Sequence, residues 1–363
     1  MKNKYNILIC PLEWGLGHAG RMIPLAKELQ ERQNNIFIGA GKEHQSLFRN
    51  ELPELTYIDF QGFKPGYSRF LPQYIALLLK TPVLFYHILA EHIRLKQIIH
   101  DHDIDIVISD NRFGLWNRKI KSVYITHLPI IPLPPELKYF EWIGILFHRF
   151  FIRKYSFCFI PDLPGELNVS GRLSHTVKLP ENTRFIGILS RFKGNLPSHE
   201  NNTGIPHNTL ILSGPEPQRG ILRQKIVEAL KHRESPTVVL EGKPRNSAEV
   251  TKTGNIISYN HLPSNEMEKI ISESESIVTR SGYTSIMELI SLNCSALLVP
   301  TPGQTEQEYL AGYLSEKGWF TSVSQKNIKA GLTLPPKKAS WTNEIIKESR
   351  KLLEKALDEL LNQ

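Results

Sequence analysis

The residues best suited to chemistry lie in the last third of the chain, at 280–308. Ser281, Gly282 and Thr284 occupy the predicted first turn of a helix that follows a short apolar strand. Free backbone N–H groups and hydroxyls at such a turn bind phosphate. Glu288 follows one helical turn later, and its carboxylate can accept two hydrogen bonds from a ribose diol. Glu288 alone would more often be a solvated helix residue, so the prediction of a nucleotide site depends on the surrounding loops.

A second polar loop follows the next predicted strand and ends in another helix. Gln304, Thr305, Gln307 and Glu308 lie in or beside it, and their amide, hydroxyl and carboxylate groups can hold sugar hydroxyls. Two such loops flank one strand–helix–strand unit. We therefore expect both to contribute to one sugar-nucleotide site.

A third loop, at 213–220, opens the second half of the chain after its first predicted strand. It combines Ser213 and Gly214 with Gln218 and Arg219 at the start of a predicted helix. A turn of small residues that leads into a helix and carries an arginine suits a phosphate. By itself, the loop is equally consistent with a plain turn and a surface arginine.

The loop after the first predicted strand carries the residues that could activate an acceptor. Gly15 and Gly17 allow a tight turn, and His18 at the start of a helix can act as a general base, with Glu13 as the alternative. The spacing of Gly15, Gly17 and Gly20 also matches the dinucleotide fingerprint. The second predicted strand lacks the terminal acid that this fingerprint requires, which disfavours an NAD-dependent oxidoreductase. The simpler alternative for His18 is a capping or loop-stabilising role.

The elements that must position these loops alternate along the chain, short apolar runs with longer amphipathic ones. Predicted strands are residues 5–10, 36–40, 56–60, 104–109, 123–126, 157–160, 210–213, 237–240, 256–259, 276–279, 296–299 and 320–323. Predicted helices are residues 20–32, 72–100, 139–154, 219–232, 264–272, 284–292 and 306–317. The alternation predicts an α/β protein with two tandem Rossmann-like, doubly wound domains.

A length of 363 residues favours two domains. We predict an N-terminal domain at 1–192, a polar linker at 193–207, a C-terminal domain at 208–340 and an amphipathic helix at 341–363. Ligands of such sheets bind at the carboxyl ends of the strands, so we expect the site in a cleft between the domains.

The composition limits the classes of partner and the compartment that we expect. The net charge of +8 suits an acidic partner, whether a nucleotide, an anionic membrane or a nucleic acid. Scattered basic residues without interleaved aromatic platforms disfavour nucleic acid. The three cysteines lie unpaired in apolar runs, as expected of buried thiols in a reducing compartment. With no signal peptide or spanning segment recognisable, we expect a cytoplasmic protein.

At residues 280–307 the sequence resembles the family 28 glycosyltransferases, the group of MurG-like N-acetylglucosaminyltransferases and galactolipid synthases. Their donor-binding stretch reads Arg-Ser-Gly-x-x-(Thr/Ser)-x-x-Glu, followed by Pro-x-x-x-x-x-x-Gln. Here the first stretch runs from Arg280 to Glu288, and the second from Pro300 to Gln307, with matching spacing. The resemblance is good over about residues 205–320. It departs at residues 16–18 and 302–304, so acceptor residues cannot be carried over.

The resemblance implies a GT-B fold and an inverting, metal-independent transfer of a hexose or N-acetylhexosamine from a nucleotide sugar, with UDP as the nucleotide, to a lipid or glycan acceptor. It implies no cofactor and no metal. Ser281 and Gly282 would lie at the diphosphate, Glu288 at the ribose, and Gln307 or Glu308 at the sugar. Backbone at His261 and Leu262 would meet the base. The alternatives are a nucleotide-sugar 2-epimerase and a non-catalytic sugar-nucleotide-binding protein.

The segment at 138–154 suggests a membrane contact. It combines ten aromatic and aliphatic residues with flanking cations, is too short and too charged to span a bilayer, and suits the headgroup boundary of an anionic leaflet. A second apolar stretch at 70–89 could join the same face. We expect a peripheral position on the inner face of the cytoplasmic membrane. The alternative, that both stretches are core helices, is nearly as well supported.

Overall fold

The computed structural model describes residues 4–64, 75, 79–194, 206–214, 216–231, 233–243 and 249–362. The chain divides into two compact units. The first contains residues 1–14, 18–189 and 345–363, and the second contains residues 15–17 and 190–344. Most of the predicted linker at 193–207 lies outside the described residues.

A seven-stranded parallel sheet forms the first unit, in the order β3-β2-β1-β4-β5-β6-β7. The strands are β1 (Asn6–Cys10), β2 (Asn35–Ala40), β3 (Thr56–Asp59), β4 (Ile106–Asp110), β5 (Lys121–Ile125), β6 (Phe157–Ile160) and β7 (Thr183–Phe185). The strand order reverses at β1, which pairs with β2 on one side and β4 on the other. The carboxyl ends of β1 and β4 therefore lie side by side, where a doubly wound sheet places its ligands.

Helices cover this sheet because each has an apolar stripe to bury. They are α1 (Leu16–Glu31), α2 (Lys42–Glu51), α3 (Thr81–Asp101), α4 (Glu141–Ile152) and the short α5 (Arg172–His175). One core cluster joins Leu95 and Ile98 of α3 to Leu8 and Val107 of the sheet. Of the helices in the described part of the chain, none has the length and apolarity that crossing a bilayer requires.

The second unit contains a seven-stranded sheet in the order β10-β11-β9-β8-β12-β13-β14. Its strands are β8 (His207–Ile211), β9 (Thr237–Leu240), β10 (Val250–Thr253), β11 (Ile256–Tyr259), β12 (Ser274–Thr279), β13 (Leu297–Leu298) and β14 (Thr321–Ser322). Its helices are α6 (Gln218–Leu230), α7 (Ser264–Glu273), α8 (Tyr283–Ser291) and α9 (Thr305–Glu316). All pairings are parallel except that of β10 with β11.

The last helix, α10 (Thr342–Asn362), returns to the first unit from Ile345 onward. Arg184 forms an ion pair with Glu359 at 2.6 Å, and the backbone N–H of Ile188 donates to Ser349 Oγ at 3.0 Å. Gly187, at φ +70°, lies so close to the helix that a Cβ would be 2.2 Å from the Cα of Ser349. The predicted C-terminal helix is thus an integral part of the first unit.

The α/β prediction with two parallel sheets is confirmed. The sequence analysis missed β7, the antiparallel edge strand β10, the helix α2 and the short helix α5. The predicted helix at 72–100 is described from Thr81, where α3 begins, while most of its earlier part lies outside the described residues.

Candidate active site

A buried carboxylate lies at the centre of the polar cluster in the first unit. Asp110 ends β4 and has no solvent exposure. Arg21 of α1 donates through Nε to Asp110 Oδ2 at 3.1 Å and through Nη2 to Oδ1. His18 Nδ1 lies 2.9 Å from the same Oδ2 atom, and Arg21 Nη1 lies 3.1 Å from His127 Nδ1. The cluster therefore joins the predicted base to three groups that the motif analysis did not name.

The sheet topology explains why these side chains meet. His18 lies in the first turn of α1, directly after β1, and Asp110 ends the neighbouring strand β4. His127 follows β5, the next strand in the sheet. Asp110 could have been recognised as the first acidic residue after an apolar strand. Its pairing with His18, however, depends on which strands are neighbours.

His18 Nδ1 contacts both the Asp110 carboxylate, which only accepts, and Arg21 Nη2 at 2.8 Å, which only donates, so the contacts allow either neutral tautomer. In the tautomer that donates from Nδ1 to Asp110, Nε2 carries the lone pair that a general base needs. Burial lowers the pKa of His18, and the charge of Arg21 lowers it further, against the opposing effect of Asp110. Burial by itself would raise the pKa of Asp110, but Arg21 and His18 lower it to about 2. At neutral pH the cluster thus combines a neutral imidazole with an ionised carboxylate.

Glu13, the alternative base of the sequence analysis, is placed instead as a structural support. Its buried side chain accepts from the backbone N–H of Gly41 at 2.6 Å, and its Oε2 atom lies 3.0 Å from His44 Nδ1. Burial would raise the pKa of Glu13, but the hydrogen bonds from His44 and Gly41 lower it. Glu13 is therefore an ionised group that fixes the start of α2. The geometry favours His18 as the base.

Gly15 and Gly17 of the first loop are required for different structural reasons. Gly15 has φ +77°, in the left-handed region that glycine adopts without strain. A Cβ at Gly17 would lie 3.2 Å from Thr284 Oγ1, which donates to the carbonyl of Gly17 at 3.1 Å. Both Gly17 and Thr284 belong to the second unit. Two site residues predicted from separate motifs are thus in contact.

In the second unit, Arg280 has a supporting position instead of an open binding position. Its side chain is 1% exposed and donates to the carbonyls of Val299, Pro300 and Gln218 and to Gln325 Oε1, at 2.7–3.1 Å. Burial lowers the pKa of Arg280 to about 10, so it remains charged near neutral pH. Arg280 therefore holds the surrounding loops together, and its contact with a ligand stays a prediction.

A hydrogen bond joins the two predicted donor loops, the one at Ser281 and the one that ends at Gln307. Ser281 Oγ donates to the carbonyl of Gln307 at 2.7 Å. The Gln307 side chain accepts from the backbone N–H of Thr301 at 3.0 Å, and Glu308 accepts from that of Gly303 at the same distance. These contacts shape the turn after β13. The backbone N–H groups at Gly282 and the start of α8 are the remaining predicted phosphate donors.

Glu288 is ion-paired, not solvated. Its Oε1 atom lies 2.8 Å from Nε of Arg191, and both side chains are nearly buried. Arg191 also lies over the ring of Phe192. The sequence analysis missed Arg191, because a single arginine in a stretch without a recognised motif gives no signal. The ribose role of Glu288 stays a prediction, now with a defined cationic neighbour.

The other predicted donor residues lie at the ends of the strands of the same sheet. Arg219 pairs with Glu216 at 3.1 Å and donates to the carbonyl of Gly242 at 3.2 Å. The remaining predicted donor residues are placed as follows: Ser213 and Gly214 after β8, Gln218 at the start of α6, His261 and the buried Leu262 after β11, and Gln304 and Thr305 at the start of α9. Their contacts with a ligand stay predictions.

Within the described ranges, no group of three or more His, Cys, Asp or Glu side chains is arranged to hold a metal ion. Metal independence stays a prediction from the family resemblance.

Comparison with known proteins agrees with the motif and the fold. The glycosyltransferase family 28 C-terminal domain matches residues 223–358. An uncharacterized glycosyltransferase of Methanosarcina acetivorans is 24% identical over 349 residues, which cover 88% of this chain and 86% of the relative.

Solved glycosyltransferases share the fold over nearly the whole chain. The kitacinnamycin glycotransferase has a TM-score of 0.62 at 12% identity, covering 99% of this chain and all of that one. The calicheamicin glycosyltransferase CalG4 has a TM-score of 0.60 at 12% identity, covering 99% and 98%. MurG of Acinetobacter baumannii has a TM-score of 0.53 at 14% identity, covering 99% and 100%. The chain therefore has the GT-B fold, and its residues 223–358 match the family 28 C-terminal domain, in agreement with the motif resemblance.

Proposed function

We propose that this protein transfers a hexose or N-acetylhexosamine from a nucleotide sugar, with UDP as the nucleotide, to a hydroxyl of a lipid or glycan acceptor, with inversion and without a metal. The observation that carries the proposal is the pair of His18 and Asp110. The pair supplies a neutral imidazole at the carboxyl edge of the first sheet, where an acceptor hydroxyl bound to the first unit would need a base.

In the proposed reaction, His18 Nε2 removes the acceptor hydroxyl proton while the oxygen attacks the anomeric carbon. The bond from that carbon to the nucleoside diphosphate breaks on the opposite face, which inverts the configuration. The proton remains on His18 as an imidazolium, whose charge the carboxylate of Asp110 stabilises. Product release and exchange with water restore the neutral histidine.

The diphosphate leaves as an anion, so its stabilisation must come from the second unit. The start of α8, at Gly282 to Thr284, offers backbone N–H groups and the positive end of a helix dipole. Arg280 supports this region by joining the loop after β13 to the start of α6. We propose that Glu288 holds the ribose hydroxyls, with Arg191 fixing the carboxylate.

Replacing Glu288 with Ala should weaken donor binding by roughly 1–3 kcal/mol, the scale of lost hydrogen bonds to a charged group. Binding of UDP and UDP-N-acetylglucosamine can be measured by calorimetry. Glu316→Ala, an exposed change at the end of α9, serves as the control and should bind normally. Since Glu288→Ala also removes the partner of Arg191, its melting temperature must be measured in parallel. Unchanged affinity in a folded Glu288→Ala protein would refute the ribose role.

The epimerase alternative requires several acid and base groups free to act on the sugar. Three acids that could contribute to such a site have other partners: Glu13 lies at the start of α2, Glu216 pairs with Arg219, and Glu241 pairs with Lys243 at 2.9 Å. No observation favours this alternative over transfer.

We further propose that α4 and α3 rest on an anionic membrane surface, which would present a lipid acceptor. Trp142, Ile143, Leu146 and Phe150 of α4 are each more than half exposed. Val83, Phe85, Tyr86, Leu89 and Ile93 of α3 are also exposed, and Phe85 contacts Phe147 of α4 edge to face at 6.0 Å. The core alternative for both helices is thus weakened, because their large apolar side chains face solvent.

Positive charge borders this apolar face. Arg149, Arg153 and Lys154 line a pocket together with Leu146 and Phe150. Lys154 lies 4.6 Å from the centre of the Phe150 ring, so a cation and an apolar anchor are adjacent. This pairing matches a leaflet with anionic headgroups above an acyl region.

The double variant Trp142→Glu/Leu146→Glu should lose most co-sedimentation with vesicles of anionic phosphatidylglycerol, because it adds two charges to the apolar face. Phe147 is unsuited to this test, since it packs against Phe113 at 4.9 Å. The matched control is Ile221→Glu/Val250→Glu, which changes two exposed apolar residues of the second unit and should bind as wild type does. If wild type fails to bind, or the folded double variant binds equally well, the membrane proposal is wrong.

A further inference from the structure

Arg21 is the least expected member of the cluster around His18. It is a fully buried arginine on the same helix as the proposed base, three residues along. Its guanidinium contacts both oxygens of Asp110, lies 2.8 Å from His18 Nδ1 and lies 3.1 Å from His127 Nδ1. A simple support for the fold would not need a charge beside a catalytic imidazole.

An aspartate that paired with histidine alone would favour the protonated imidazole. Such a histidine would lose its ability to accept a proton in mildly acidic solution. Here the carboxylate already has a full positive partner in Arg21, with bidentate geometry. Asp110 can therefore orient the His18 ring without attracting a second proton to the imidazole.

We infer that Arg21 is a positioning residue for transfer: it balances the charge of Asp110 and so keeps the imidazole of His18 neutral, the form that can take the acceptor proton. The inference depends on the proposed function for its catalytic meaning. The charge arrangement itself is independent of any substrate.

His127 extends this arrangement. Because an arginine only donates, its contact with His127 Nδ1 places a lone pair on that nitrogen. His127 then fixes one arm of the guanidinium while Asp110 fixes the others. The charged and titratable groups that act on His18 are thus Asp110 at the end of β4, Arg21 on α1 and His127 after β5.

These contacts determine the direction in which kcat/KM changes with pH. The neutral form of His18 is the active base, so kcat/KM falls as the pH drops through the pKa of His18. Burial and Arg21 lower that pKa below the ordinary value of 6.5. Removing the charge of Arg21 leaves Asp110 to act alone and should raise the pKa, moving the acidic limb of the pH profile upward by about 1–3 units.

The test compares Arg21→Gln with Arg21→Lys. Glutamine can still donate to Asp110 but lacks the charge, whereas lysine keeps the charge. Titration of His18 by NMR on histidine-labelled full-length protein, assigned with His18→Asn, needs no substrate. The pH profile of kcat/KM is measured on the same proteins.

We expect Arg21→Gln to raise both the His18 titration and the acidic limb by about one unit or more, and Arg21→Lys to stay near wild type. An unshifted His18 titration in folded Arg21→Gln, or an equal shift in Arg21→Lys, would overturn the inference. A shifted titration in a protein whose wild type transfers no sugar would refute the proposed function while leaving the charge arrangement in place.

Discussion

Replacing His18 with alanine should lower turnover by roughly two to four orders of magnitude, the usual contribution of a general base. Donor affinity should change little, because the predicted donor residues belong to the second unit and His18 to the first. The exposed edge of the ring and the orientation imposed by Asp110 both suit proton abstraction by Nε2. Steady-state kinetics and calorimetric binding of UDP separate the two effects.

Asp110→Asn should reproduce much of this loss, because a neutral amide cannot stabilise the imidazolium that forms and can donate to His18 Nδ1, which favours the wrong tautomer. Glu13→Gln provides the comparison that decides between the two candidate bases. Glutamine can still accept from the Gly41 N–H, but the change should weaken the pairing with His44 and destabilise the start of α2 without removing the base. Near-normal turnover in His18→Ala, with strong loss in Glu13→Gln, would transfer the role to Glu13.

Arg280→Met should lower the free energy of unfolding by about 4 kcal/mol, from the loss of four hydrogen bonds worth about 1 kcal/mol each. Methionine fills a similar volume but leaves the carbonyls of Val299, Pro300 and Gln218 without a donor. Donor binding should weaken as a consequence, since these carbonyls belong to the loops that shape the predicted site. Urea unfolding monitored by circular dichroism measures the first effect.

Arg219→Met provides the matched control at the same edge of the sheet. Arg219 pairs with the exposed Glu216, and such pairs contribute about 0–1 kcal/mol. If Arg280→Met has the same free energy of unfolding as wild type and yet no longer binds the nucleotide sugar, Arg280 contacts the ligand directly and the support role is wrong.

Much of the fold follows from local patterns. The strands β6, β9 and β11 match their predicted bounds, because each is a short, mainly apolar run between polar turns. The helix α2 was missed because its sequence, KEHQSLFRNE, is mostly polar and buries only His44, Leu47 and Phe48. The fully exposed strand β10 has no apolar alternation and exists through its pairing with β11.

In the candidate site, too, the features set by local sequence could be predicted, and those set by contacts between distant residues could not. The glycine loop and the Arg280–Gln307 stretch were recognisable because spacing within a strand–loop–helix unit is local. The partners of those residues were not recognisable. Asp110 meets His18 only because β4 pairs with β1, and Arg191 meets Glu288 across 97 positions of the chain. The inward direction of Arg280 was also invisible, since the sequence does not show which side of a loop a side chain faces.

We propose that this protein moves a sugar from a nucleotide to a hydroxyl, with His18 as the base. The most direct test follows the fate of labelled UDP-glucose, UDP-galactose and UDP-N-acetylglucosamine with wild type and His18→Ala, using vesicles that contain diacylglycerol and glycolipids as acceptors. We expect wild type to move label from one of these donors to lipid in the opposite anomeric configuration, and His18→Ala to abolish nearly all of the transfer. Label that stays on the nucleotide, either unchanged or as an epimer, would contradict the proposal.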